Sequence, residues 1–230
     1  MLFRSDDEFF EPRFHLPTGI YLLDGIIGEG GFGTGRISEI FGPNRSGKSD
    51  LTQRVAKAFL EKFPDGLVFY FDQEMALDKK KLNAIPVFKS NRFAICYRPT
   101  VQKLFDTVIK MLKKIHAEKA DVPVLIIVDS IAMMETDGEA KKALKDVTVA
   151  EMGRALSSAL RKIKPIIQET NAHLLIVNQV RKRIGDQYTP EESPGGEALK
   201  FACDYRLKCQ QGAKYWIKAS SKKDGMPPDR

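Results

Sequence analysis

A lysine and a serine close a glycine-containing octapeptide, a pattern typical of sites that bind nucleotide phosphates. Residues 42–49 read G-P-N-R-S-G-K-S, with an apolar run before them and a helix-prone stretch after them. In the pattern G-x-x-x-x-G-K-[ST], backbone N–H groups surround the phosphates, the lysine contacts the β- and γ-phosphates, and the hydroxyl binds Mg²⁺. Similar strings occur in surface turns that bind nothing, but the flanking elements favour a phosphate loop. The predicted nucleotide contacts are Gly42, Pro43, Asn44, Arg45, Ser46, Gly47, Lys48, Ser49 and Asp50, and Ser49 is also a predicted metal ligand.

Two carboxylates and an amide could complete the chemistry of triphosphate hydrolysis. Asp129 follows an apolar run and could hold Mg²⁺ directly or through water, although an aspartate at that position is also a common helix cap. Glu74 follows another run and could activate the attacking water; a solvated loop glutamate is the alternative. Gln179 could sense the γ-phosphate, whereas pattern alone favours an amide that satisfies backbone groups. The predicted catalytic residues are Lys48, Glu74 and Gln179.

Apolar runs alternate with helical patterns, which predicts an α/β fold: a mainly parallel, twisted sheet flanked by helices. Residues 101–115 and 152–163 carry apolar side chains at helical spacing, and Pro165 should kink or end the second helix. Two late segments, 205–209 and 215–218, are interpreted as a hairpin or a pair of strands. The predicted core strands are Ile37–Phe41, Leu67–Phe71, Phe93–Tyr97, Val124–Val128 and Leu174–Val177.

The chemically suggestive residues all follow predicted strands. In parallel α/β sheets, ligands bind outside the carboxyl ends of the strands. The phosphate loop, Glu74, Asp129 and Gln179 each stand just beyond such an end. We therefore expect these groups to share one rim of the sheet.

Length and composition describe a globular chain with one sizeable core. The 230 residues are 43% hydrophobic, no apolar stretch reaches membrane-spanning length, and the acidic start lacks a signal peptide. Three cysteines without a C-x-x-C spacing argue against a disulfide framework and a zinc site. We expect reduced thiols, a cytoplasmic location and no membrane partner. A net charge of +7 gives weak support for a polyanionic partner.

The segment after Gln179 begins with three cations and is rich in turn-forming residues. Cations suit the phosphates of a single-stranded nucleic acid, and the ring of Tyr188 suits its bases. Three acidic residues in the same segment argue the other way, and composition alone describes an ordinary active-site loop. The cations are Arg181, Lys182 and Arg183.

Several motifs in order resemble the RecA family of DNA recombinases, over most of the chain from about residue 17 to residue 218. T-G at 18–19, L-D at 23–24 and the glycines of 30–35 resemble the family's entry into the core, and 42–49 is its phosphate loop. F-D-Q-E-M-A-L-D at 71–78 resembles a bacterial segment of the family. The most specific part of the match is N-Q-V-R-K-R-I-G at 178–185 with G-G-E-A-L-K-F at 195–201. The resemblance implies a RecA-type P-loop ATPase core that uses ATP and Mg²⁺.

The same resemblance implies roles for individual residues. Glu74 would activate water, Asp78 would contact adenine, and Gln179 would sense the γ-phosphate at the start of the second DNA-binding loop. Residues 135–150 take the position of the first DNA-binding loop. The implied DNA contacts are Arg154, Arg181, Lys182, Arg183, Tyr188, Gly195 and Gly196. The implied subunit-interface residues are Lys200, Phe201, Lys218, Lys222 and Lys223.

The chain departs from the family pattern at three places. Lys81 replaces the adenine-stacking tyrosine expected three positions after Asp78. Residues 1–16 are expected to form a short arm, in which two phenylalanines could dock on a neighbouring subunit or stay disordered. We expect the ATPase core to cover residues 17–218 and a basic tail to cover residues 219–230, where the lysines could act across an interface or be solvated.

The resemblance implies an ATP-dependent protein of homologous recombination and DNA repair. Such a protein forms a helical filament on single-stranded DNA and promotes pairing and strand exchange with homologous duplex DNA. An accessory paralogue that binds nucleotide and a partner recombinase without exchanging strands is the first alternative. A hexameric helicase-like motor on the same fold is the second.

Overall fold

A sheet of six parallel strands forms the centre of the molecule. The structure, a computed structural model, describes residues 11–97, 99–118, 122–141, 149–180 and 196–212. The strands of the described chain are β1 (His15–Leu16), β2 (Phe32–Gly33), β3 (Arg36–Gly42), β4 (Leu67–Asp72), β5 (Phe93–Tyr97), β6 (Val124–Asp129), β7 (Ala172–Gln179) and β8 (Tyr205–Lys208). The parallel sheet has the order β5-β4-β6-β7-β3-β8, and β1 pairs with β2 in a separate antiparallel ribbon.

Helices cover both faces of this sheet. They are α1 (Tyr21–Ile27), α2 (Lys48–Lys62), α3 (Lys79–Asn83), α4 (Val101–Glu118), α5 (Val149–Glu169) and α6 (Gly196–Ala202), with short 3-10 turns at Pro86–Lys89, Ile131–Met133 and Glu139–Lys141. On one face α4, α5 and α6 pack on the sheet through one apolar cluster. On the other face α2, α3 and the β1-β2 ribbon pack through a second cluster. No helix of the described ranges has both the length and the apolar character of a membrane span.

The sequence locates the strands because both faces of the sheet are covered. Every residue of β6 is buried, and β7 is buried except at its last position. A strand that is buried on both faces reads as a continuous apolar run rather than as an alternating pattern. All five predicted core strands are therefore confirmed, and four of them extend one or two residues further at one or both ends.

Two local predictions need correction or completion. The helix predicted to kink or end at Pro165 does not end there, because α5 continues to Glu169. Proline removes a single backbone donor, and the buried side chains of Ile163 and Ile167 keep the helix packed on both sides of it. The late strand at 205–209 is confirmed as β8, which pairs in parallel with β3. Its suggested companion at 215–218 lies outside the described residues.

Candidate functional site

The phosphate loop joins the end of β3 to the start of α2. The Nζ atom of Lys48 donates hydrogen bonds to the carbonyl oxygens of Gly42 at 3.1 Å and of Pro43 at 2.7 Å. Gly47 precedes the helix with a φ of 87°, a left-handed conformation that glycine adopts without strain. The N–H groups in the first turn of α2 have no partner within the helix and border the loop. This arrangement suits an anionic ligand such as a phosphate.

The loop is held in place by the end of the neighbouring edge strand. A Cβ atom added at Gly42 would lie 2.1 Å from the carbonyl oxygen of Cys209, so only glycine allows this approach. The N–H of Cys209 donates to the carbonyl oxygen of Phe41 at 2.8 Å. Arg45, with a φ of 61°, is exposed at the turn, as are Asn44 and Asp50. The predicted nucleotide contacts of residues 42–50 thus lie on one continuous loop and helix start.

Lys48 is a buried cation, only 7% exposed. Burial lowers its pKa from the ordinary value, and electrostatic interactions with Asp129, then Cys209 and then Glu74, in decreasing order, oppose that shift. The ammonium group therefore lies close to both carboxylates predicted for the site. A phosphate that reached Lys48 would replace part of the solvation that the group loses on burial.

Asp129 lies at the carboxyl end of β6, beside the phosphate loop. Its carboxylate accepts a hydrogen bond from the buried hydroxyl of Tyr70 at 2.8 Å and another from the Ser49 side chain. Burial raises the pKa of Asp129, and these two hydrogen bonds oppose the rise. A hydroxyl and a single carboxylate in contact fit a Mg²⁺ ion, which usually keeps waters and takes the remaining ligands from phosphates. In the described part of the chain no cluster of three or more acidic, histidine or cysteine side chains could hold a metal by itself.

Glu74, Gln179 and Ser130 meet at the same rim. The Oε1 atom of Glu74 accepts hydrogen bonds from the Ser130 hydroxyl at 2.7 Å and from Gln179 Nε2 at 2.5 Å. These residues lie at or just after the ends of three different strands, so the tertiary structure brings them together. Ser130 was not predicted as a site residue, although its position directly after Asp129 was a signal. The predicted water-activating carboxylate thus contacts the predicted γ-phosphate sensor directly.

Two further aspartates shape this rim without contacting the phosphate loop. The carboxylate of Asp72 accepts the backbone N–H groups of Ala76 at 3.3 Å and Leu77 at 3.1 Å, which forms the turn that presents Glu74. Asp78 caps α3 by accepting from the N–H of Lys80 at 2.9 Å. The predicted contact of Asp78 with adenine stays a prediction.

A groove with a basic edge lies between α5 and α6. Its volume is about 530 Å³, and its lining includes Ser157, Arg161, Lys164 and Phe201. Arg161 was not predicted as a site residue. It stands two helical turns after Arg154, both side chains are exposed, and this spacing of basic residues was the available signal.

Helix α6 carries two of the predicted interface residues. Lys200 forms an ion pair with Glu197 one turn earlier, with 2.5 Å between Nζ and Oε1. Phe201 is 80% exposed, which is unusual for an aromatic side chain and leaves its ring available for contact. Gly196 is the first residue of the helix. The other DNA and interface predictions lie outside the described residues: Arg181, Lys182, Arg183, Tyr188, Gly195, Lys218, Lys222 and Lys223.

Comparisons with known proteins cover nearly the whole chain. The family model of the RecA N-terminal domain matches residues 11–225. The chain is 36% identical over 210 residues to Protein RecA of Sulfurovum sp. (strain NBC37-1), which covers 90% of this chain and 57% of that protein. It is 34% identical over 200 residues to Protein RecA of Phytoplasma mali (strain AT), with coverage of 86% and 56%, and 34% identical over 197 residues to Protein RecA of Aquifex aeolicus (strain VF5), with coverage of 85% and 54%. The chain spans about half the length of the curated relatives it matches.

Proposed function

Because this chain belongs to the RecA family, we propose that it is the core of an ATP-dependent recombinase. It binds ATP and Mg²⁺, assembles as a helical filament on single-stranded DNA, and promotes pairing and strand exchange with a homologous duplex. The observation that carries this proposal is the direct hydrogen bond between Glu74 and Gln179. It joins the water-activating group to the residue at which the DNA-binding loop begins.

The chain's own residues divide the work of hydrolysis. Lys48 and the backbone of the phosphate loop hold the β- and γ-phosphates, while Ser49 and Asp129 would hold the ion. When bound, Mg²⁺ neutralises charge on the phosphate oxygens. Glu74 orients the attacking water and accepts its proton. The donors from Ser130 and Gln179 both act on Oε1 of Glu74, so its second oxygen is the one that takes the proton.

Gln179 couples the binding of nucleotide to the binding of DNA. A γ-phosphate that accepts the amide of Gln179 competes with Glu74 for the same donor, so binding of ATP releases Glu74 toward the water. The same movement of Gln179 raises the affinity for DNA. Loss of the γ-phosphate on hydrolysis restores the contact with Glu74 and lowers the affinity for DNA.

The groove between α5 and α6 is the proposed path of the DNA backbone. Arg154 and Arg161 supply cations along one helix face, and Ser157 supplies a hydroxyl between them. Arg181, Lys182, Arg183 and Tyr188 are proposed as further DNA contacts from the family resemblance alone. Contacts with phosphates and base faces imply tolerance of sequence and preference for single strands.

Assembly into a filament would use the exposed face of α6. Phe201 contacts the neighbouring subunit, and Lys200 exchanges its ion pair with Glu197 for the neighbour's nucleotide. The intact set of Glu74, Gln179, Lys48 and Asp129 supports a catalytic core over a non-catalytic accessory paralogue.

The first test measures ATP hydrolysis with and without single-stranded DNA. Glu74→Gln should bind ATP normally and hydrolyse it at least a hundredfold more slowly, because an amide cannot take the proton of water. Glu61→Gln is the matched control, since Glu61 lies on the exposed face of α2 in an ion pair with Lys57. Hydrolysis by Glu74→Gln at the control's rate would assign the water to another residue.

The second test measures DNA affinity across a range of salt concentrations. Each phosphate contact on a single strand adds about 0.7 to the slope of log K against log [salt]. Replacing Arg154 and Arg161 together by glutamine should reduce the slope by about 1.4, whereas Lys110→Gln on the exposed face of α4 should not change it. An unchanged slope in the double variant would exclude the α5–α6 groove as the DNA site.

A further inference from the structure

The hydroxyl of Tyr70 is buried between the phosphate-loop helix and the carboxylate of Asp129. Tyr70 is on β4 and has no exposed surface. Its oxygen lies 2.8 Å from Asp129 Oδ2 and 3.0 Å from the Thr52 hydroxyl on α2. The sequence motifs explain neither contact, since Tyr70 belongs to none of them.

Counting protons fixes the direction of these contacts. An ionised carboxylate only accepts, so the single phenol proton of Tyr70 goes to Asp129. Thr52 also has one proton, and its hydroxyl lies 2.9 Å from the carbonyl oxygen of Ser49 as well as close to Tyr70. The Ser49 side chain donates to Asp129. Because the phenol proton is given to Asp129, only the Thr52 proton can join the two hydroxyls, and the Tyr70 oxygen shares that proton with the Ser49 carbonyl oxygen. The donors therefore run as a chain from Thr52 to Tyr70 to Asp129.

Tyr70 thus holds the carboxylate of Asp129, which the proposed function assigns to Mg²⁺ together with Ser49. We propose that Tyr70 is a positioning residue for the metal: its hydroxyl holds one oxygen of Asp129 and thereby aims the other at an ion that Ser49 also contacts. This inference rests on the proposed metal role of Ser49 and Asp129. Hydrogen-bond partners behind a metal ligand commonly change metal affinity by one or two orders of magnitude, because they hold the ligand in its binding orientation.

Tyr70→Phe isolates this role from packing. The substitution deletes one oxygen and keeps the ring, which packs in the cluster beneath α2 and lies 6.3 Å from the ring of Phe93. Tyr21→Phe is the matched control, because it deletes the same oxygen from a side chain that is 91% exposed on α1. Thermal unfolding without nucleotide checks that both variants are folded.

The experiment measures binding of a fluorescent ATP analogue, first in EDTA and then during titration with MgCl₂. Tyr70→Phe should raise the Mg²⁺ concentration at half-maximal enhancement about tenfold, while nucleotide affinity in EDTA and the behaviour of Tyr21→Phe stay at the wild-type values. An unchanged or lower Mg²⁺ midpoint overturns the inference. A loss of affinity in EDTA equal to the loss in Mg²⁺ also overturns it, because the hydroxyl then serves packing alone.

Asp129→Asn separates failure of this inference from failure of the proposed metal site. If Asp129→Asn abolishes the Mg²⁺ enhancement and Tyr70→Phe leaves the midpoint unchanged, the metal site stands and the positioning role is refuted. If Asp129→Asn keeps the full enhancement, the proposed metal site is itself wrong and the inference falls with it. If Tyr70→Phe fails to fold, Thr52→Val is the second variant, since it removes the hydroxyl that donates to the Tyr70 oxygen. A wild-type Mg²⁺ midpoint in Thr52→Val would then refute the positioning role.

Discussion

The buried carboxylate of Glu39, on the strand next to β7, allows a quantitative test of how the sheet is stabilised. Glu39 on β3 has no exposed surface, and its Oε2 atom lies 2.7 Å from Nε of Arg206 on β8. Its Oε1 atom accepts from Asn178 Nδ2 at 2.9 Å, directly before Gln179 in β7. The Arg206 guanidinium also lies over the Phe41 ring, 4.7 Å from its centroid. One charge pair therefore links three neighbouring strands at the end that carries the site.

Arg206→Met should lower the free energy of unfolding by about 3 kcal/mol. Removing one partner of a buried ion pair costs about 3–5 kcal/mol, because the remaining charge is left without compensation. The lower end applies here, since the Asn178 amide stays and the 31% exposure of Arg206 lets water approach the vacated side. Methionine keeps an unbranched apolar stem of similar length. For a chain of this size the loss corresponds to a melting temperature about 6–12 °C lower.

Denaturant unfolding of a double-mutant cycle measures this effect. Glu39→Gln alone should cost about 1–2 kcal/mol, since Arg206 returns to water and only hydrogen bonds weaken. Adding Glu39→Gln to Arg206→Met should recover part of the lost stability, because an amide needs no cation. Lys57→Met, which breaks the exposed pair with Glu61, should cost less than about 0.5 kcal/mol. The reasoning is refuted if Arg206→Met is no worse than Lys57→Met, or if the double variant is as unstable as the sum of the single ones.

Three further predictions concern the loop, the pH dependence of folding and the sensor. Gly42→Ala should abolish nucleotide binding, because its Cβ atom would lie 2.1 Å from the Cys209 carbonyl oxygen. Gly25→Ala is the control: no atom lies within 4 Å of the added Cβ atom on α1, so this variant should bind nucleotide normally and gain about 0.5–1 kcal/mol of stability. Burial lowers the pKa of His173 from 6.5 to about 4. Between these two pH values the imidazole is therefore protonated in the unfolded chain and neutral in the folded chain. Stability should be complete above pH 6.5 and fall by up to about 3 kcal/mol toward pH 4, and denaturant midpoints should lose most of that slope in His173→Asn. Gln179→Ala should keep ATP affinity and erase a difference in DNA affinity between the ATP and ADP states of about 1–3 kcal/mol, measured by fluorescence anisotropy; an unchanged ratio would exclude the sensor role.

Local patterns predicted the elements and the order of chemical groups along them. The runs that became β6 and β7 are apolar because these inner strands are covered on both faces, so composition alone reveals them. The phosphate loop can also be predicted from the sequence, since its geometry requires glycines at fixed positions in one continuous segment. The common rim for Glu74, Asp129 and Gln179 followed from strand direction, because carboxyl ends of parallel strands meet on one side.

Only the tertiary structure decided which of these groups touch. The bond between Glu74 and Gln179 joins residues 105 positions apart, and the bond between Tyr70 and Asp129 joins residues 59 apart. The apolar pattern of the sequence does not predict such pairs, because strand order and register are set by the packing of the whole sheet. Tyr70 has the sequence appearance of a core aromatic, and its hydroxyl meets Asp129 only because β4 lies beside β6. A site formed by one continuous segment can therefore be predicted from the sequence. A site formed by residues of several strands depends on the sheet order β5-β4-β6-β7-β3-β8, which side chains distant in sequence stabilise together.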